Sequence, residues 1–132
     1  MSKIVKVFVF FGLGFFICSC AKKLDVVQIL DKYVAPSNLY KIEKSFERAG
    51  REWEIFATFK GPISSSFLEL KNFTELSEPE AVKYVDLVRK RFYDSKKSQP
   101  VLVYSRFDDA SGVLVILLKY DTENWACYLR RI

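Results

Sequence analysis

The sequence predicts an α+β fold: a mostly antiparallel sheet of about five strands with helices packed on one face, in the order α-α-β-β-α-β-β-β. Three observations predict it. Apolar and polar residues alternate from Trp53 to Phe59, and short apolar runs return after Pro100. A strong helix start stands at Ser77-Glu78-Pro79-Glu80. The chain has 132 residues, 50% of them hydrophobic and 28% charged, enough for one core and too few for two.

From Lys22 to Val34, residues Val26, Ile29, Leu30, Tyr33 and Val34 recur at the helical period. This first helix ends by Ala35, because Pro36 disfavours helical geometry in the residue before it. Ser37 to Gly50 supports two readings. Leu39, Ile42, Phe46 and Ala49 repeat at helical spacing, whereas Tyr40, Ile42 and Phe46 also fit one face of a strand. A strand would turn Lys44 inward, which favours the helix. The strand from Trp53 to Phe59 ends at Gly61-Pro62, and Phe67 to Phe73 reads as its hairpin partner. In the next helix Ser77 is the N-cap and Pro79 stands in the first turn, where its missing N–H costs nothing. That helix runs to about Tyr93 with Ala81, Val85, Val88 and Phe92 as its apolar stripe. The rest is a meander of Val101 to Phe107, Val113 to Tyr120 and Trp125 to Arg131. Its middle strand is apolar on both faces and belongs at the centre of the sheet.

The amino terminus carries an address. Lys3 and Lys6 precede an apolar run from Val7 to Ile17, with no acid in the first twenty residues. As a helix, that run would be about 16 Å long, half of a hydrocarbon core about 30 Å thick. An export signal fits better than a transmembrane span. The run ends in Ile17-Cys18-Ser19-Cys20, which resembles the lipobox of bacterial lipoproteins: an aliphatic residue at −3, a small one at −1 and cysteine at +1. The resemblance implies a diacylglycerol on the Cys20 thiol, cleavage before Cys20 and acylation of the new amine. Cys18 as acceptor would place bulky Ile17 at −1. The organisation expected is therefore a signal peptide over 1–19, a lipidated cysteine and membrane-proximal helix over 20–36, and one α+β domain over 37–132. Asp at +2 holds many such lipoproteins in the inner membrane. Ala21 stands there instead, which implies the outer membrane, facing the periplasm, with inner membrane or cell surface as alternatives.

Cleavage and lipidation leave Cys127 alone, so no intramolecular disulfide is expected. With Lys3 and Lys6 gone, 19 basic and 16 acidic side chains give a net charge of +3, too mild to argue for nucleic acid. The chain has no histidine, which excludes Ser-His-Asp and Cys-His catalysis. Cys127 reads as a buried, inert thiol. Glu52 and Glu54 would lie about 7 Å apart on one strand face, a spacing some glycosidases use, but alternating acids on a wet face are ordinary. Asp108 and Asp109 suit a turn better than a calcium site. No catalytic residue, metal or cofactor is expected.

Two candidate sites remain. Arg89, Lys90, Arg91, Lys96 and Lys97, extended by Arg130 and Arg131, form a basic group suited to an anionic surface. Tyr104, Tyr120 and Tyr128 are candidate partner-binding aromatics. The expectation is a non-enzymatic binding, inhibitor, immunity or envelope-assembly module, held to the membrane by lipid and meeting a protein partner there. A small carboxylate hydrolase and a structural lipoprotein contacting peptidoglycan are the alternatives.

Overall fold

The computed structural model describes residues 24–92 and 99–132. Cys20, Lys96 and Lys97 lie outside the described residues. The elements are α1 (Val26–Tyr33), β1 (Lys41–Arg48), β2 (Glu54–Lys60), α2 (Ser65–Leu70), β3 (Thr74–Glu75), α3 (Glu78–Phe92), β4 (Leu102–Asp108), β5 (Val113–Lys119) and β6 (Asn124–Arg131). The strands form one antiparallel sheet in the order β1-β2-β6-β5-β4-β3. The fold class is thus α+β with an antiparallel sheet, of six strands rather than five.

Two element assignments change. Ser37 to Gly50 is a short 3-10 turn, Ser37–Leu39, followed by strand β1. The helical spacing there is coincidental. Lys44 points to no core, because β1 is an edge strand and most of its residues are exposed. The second change is Phe67 to Phe73, which contains helix α2 and not a strand. Ser64 caps it by accepting a hydrogen bond from the Phe67 amide at 3.1 Å. Asn72 closes it at φ 65°, with Phe73 N–H bonded to the Leu68 carbonyl and Asn72 N–H to the Glu69 carbonyl. Those paired bonds are a Schellman stop. The chain leaves α2 into β3, whose two residues pair with Tyr104 and Ser105.

The meander falls where it was expected, and β5 and β6 occupy the middle of the sheet, buried on both faces. Each face has its own core. On one, Ile55, Phe59, Val115, Leu117, Trp125 and Leu129 pack with Leu30 and Tyr33 of α1 and Leu68 of α2. On the other, Phe56, Ile116, Leu118, Ala126 and Tyr128 pack with Val85 and Val88 of α3. The helices are therefore divided between the faces and not collected on one. A strand as apolar as β5 exposes hydrophobic side chains on both sides, and one helical layer would leave half of them in water.

α1 belongs to the domain core: Leu30 is fully buried, and Leu24, Val26 and Ile29 pack around it. Asp25 caps the helix through the Gln28 amide. At its other end Arg106 donates to the Tyr33 carbonyl at 3.0 Å while lying over the Phe73 ring, joining α1 to the chain just beyond α2. Gly61 is fixed by close approach: a Cβ there would stand 2.3 Å from the Leu39 carbonyl oxygen. Asp108 and Asp121 organise the two meander turns. Ser111 donates to Asp108, and Asp121 accepts from the Asn124 side chain and then from the Glu123 and Asn124 backbone amides, bonds that hold both carboxyls below their usual range. The outer edge of β1 is guarded by alternating charges and a bulge between Ile42 and Lys44.

Candidate functional site

The α3 face of the sheet carries the most organised surface, and the strand register builds it. Phe46, Phe56 and Tyr128 stand opposite one another across β1, β2 and β6. Two residues further on, the same strands place Arg48, Glu54 and Arg130 in line. Side chains two apart share a face, so a row of three aromatics lies beside a row of arginine, glutamate and arginine.

The aromatic row is packed and capped. The Phe56 and Tyr128 ring centroids are 4.8 Å apart, and Tyr84 of α3 lies 6.3 Å from Tyr128. The guanidinium of Arg91 sits over Phe46 at 4.5 Å and over Phe56 at 4.9 Å. Cation–π contacts of this kind contribute about 0.5–1 kcal/mol each where solvent reaches them. Phe46 stays 48% exposed, so the arginine lies on an aromatic shelf open to water.

The charged row is bonded within itself. Tyr128 donates its hydroxyl to Glu54 at 2.8 Å, and Arg48 lies 3.7 Å from the other Glu54 oxygen. Arg130 lies 3.7 Å from Glu52. Burial, then the bond to Glu54, pushes the Tyr128 hydroxyl well above its ordinary value, so it remains a neutral donor. The two carboxylates suggested by sequence are thus each held by an arginine, Glu52 in the turn before β2 and Glu54 on the strand itself. Such pairs on an accessible face add little stability; they fix where the arginines stand.

The structure brings together only part of the candidate set. Arg91 and Arg130 meet on this face, joined by Arg48 and Phe46, which sequence reasoning missed. Arg89 is half-buried and Lys90 exposed on the last turns of α3, where cations complement the helix dipole. Strand alternation sends Arg131 to the opposite face from Arg130. The tyrosines are a correction. Tyr104 is 9% exposed and packs 6.4 Å from Trp125, Tyr128 is 3% exposed, and Tyr120 is half-buried against the α3-face core. Tyr104 belongs to the α1-face core and Tyr128 to the α3-face core, with Tyr120 packed at the edge of the latter. On β5 and β6 alternation gives no signal, since most of both sides is apolar and buried.

Cys127 is fully buried, and desolvation pushes its thiol up to about 12. A thiol so placed carries almost no thiolate at neutral pH. The folded protein should resist maleimide at this residue and react only after denaturation; labelling of Cys127 in the native state, read by mass spectrometry, would contradict the packing. Among the described residues no group of three or more histidine, cysteine or acidic side chains could hold a metal ion. Nor is any described helix long and apolar enough to cross a membrane. No protein-family model, curated protein or solved structure matches the chain.

Proposed function

We propose that this chain is a lipid-anchored protein of the bacterial cell envelope whose domain serves as a non-enzymatic binding, inhibitor or assembly module. The observation that carries the reading is Ile17-Cys18-Ser19-Cys20 at the end of an export-type signal. Leu24, the first described residue, packs against the α1-face core. Three residues separate it from Cys20, and the four steps between them reach at most about 14 Å. A lipid on Cys20 would therefore hold the α1 side near the membrane and turn the α3 face, with its arginines and aromatic shelf, towards the periplasm. Exposed arginine beside aromatic rings is the composition of a protein-binding surface.

The outer membrane is the proposed destination, because Ala21 lacks the carboxylate that retains such proteins at the inner membrane. Lys22 and Lys23 add only about 1 kcal/mol each near an anionic surface, and they do so at either membrane. The wild-type protein should band with the outer membrane on a density gradient, and Ala21→Asp should move it inward. A wild-type protein banding with the inner membrane would overturn the destination. The binding role is tested by co-purification after mild detergent extraction. A stoichiometric protein partner is expected, and its reproducible absence would overturn the role.

A further inference from the structure

The same helix that carries Arg91 has an acidic, apolar cavity at its other end. Between the first half of α3 and strands β3 and β4 lies a cavity of about 410 Å³, within the range of about 300–1,000 Å³ typical of ligand pockets. Its floor is aliphatic, formed by Leu76, Val85 and Val103, and Val82 and Val101 at its mouth are 50% and 69% exposed. Glu75, Glu78 and Asp86 stand around it, and among the described residues no basic side chain lines it. Among the described residues none of the three has a cation partner. Glu78 has an ordinary reason to be there, since it complements the start of the helix dipole. Glu75 on β3 and Asp86 in mid-helix have no such reason. In a chain of 19 basic and 16 acidic side chains beyond Cys20, an aliphatic cavity ringed by three acids with no cation partner among the described residues is a local reversal of charge.

We propose that this groove docks a basic segment of a protein partner, an aliphatic side chain entering the cavity with lysine or arginine beside it. The inference rests on the binding-module reading and adds a second contact to the arginine and aromatic surface on the same face. Apolar surface supplies the affinity, and the acidic rim selects basic neighbours and repels acidic ones. A small neutral ligand would have no use for the rim, and a bare cation no use for the valines.

The test uses the full chain in non-ionic detergent with ¹³C-labelled valine methyls. Acetyl-Leu-Arg-Leu-Arg-amide should shift the Val82, Val85 and Val101 methyls, and acetyl-Leu-Glu-Leu-Glu-amide should not. The double charge reversal Glu75→Lys with Asp86→Lys touches exposed positions, so the remaining methyl spectrum should be unchanged while binding weakens about tenfold. No shift at these methyls, or equal shifts with both peptides, would overturn the proposal. Peptide-free self-association abolished by the same double variant would also overturn it, in favour of a second copy. Co-purification separates this inference from the reading beneath it. A partner lost only from the double variant supports the groove. A partner retained by it removes the groove and leaves the binding role standing, whereas no partner with either protein removes the role.

Discussion

Cys20→Ser should leave a larger precursor that takes up no palmitate. The serine hydroxyl is not the thiol that accepts diacylglycerol in lipoproteins, and in that family the signal peptide is removed only after this step. The expected effect is all or none. One acyl chain holds a protein at a membrane only marginally, whereas two or three, at about 0.8 kcal/mol per buried CH₂, make release negligible. Cys18→Ser is the matched control: on the proposed reading Cys18 would leave with the signal peptide, so labelling and size should match the wild type. Label retained by Cys20→Ser, or lost from Cys18→Ser, would move the acceptor to Cys18.

Trp125→Ala should cost about 3–5 kcal/mol, the range for deleting a large buried aromatic, and lower the melting temperature by more than about 10 °C for a domain of this size. Trp125 is 1% exposed at the centre of the α1-face core. Its ring is parallel to Phe59 at 6.2 Å and 6.4 Å from Tyr104, and Phe59 in turn meets Tyr40 at 4.9 Å. One deletion unsupports a whole row of rings. A total stability of about 5–15 kcal/mol makes that loss a large share. Trp125→Phe should cost clearly less, because the buried Nε1 has no hydrogen-bond partner to lose. Circular-dichroism melts of the three proteins decide it. A fall of only a few degrees for Trp125→Ala would contradict the core described above.

The parts of the fold that were legible in the sequence are those where one physical signal dominates. The α3 helix had a proline in its first turn and an apolar stripe, and β5 was apolar on both sides. Both lie within a residue or two of where they were expected. β1 was ambiguous because an edge strand need not alternate: most of its residues are exposed, so Ile42 and Phe46 fit a helical period with Leu39 as well as a strand face with Tyr40. α2 was misread because six residues are too few to show a period, although Ser64 and Asn72 marked its two ends. The candidate site was legible only in part. Arg91 and Arg130 were identified from local charge, but their meeting with Arg48 and Phe46 depends on β1 pairing with β2 and β2 with β6. Such long-range pairing leaves no trace in local composition. The tyrosines of β4 to β6 could not be assigned to surface or core while the division of helices between both faces was unknown.

On the proposed reading the mature chain starts at a lipidated cysteine beside the α1 face. Mass spectrometry of the amino-terminal peptide from membrane-extracted protein tests it most directly. The expected peptide begins at Cys20, carries a diacylglyceryl group on sulfur, and has an acylated amine. A peptide that retains residues 1–19, or an unmodified Cys20, would contradict it.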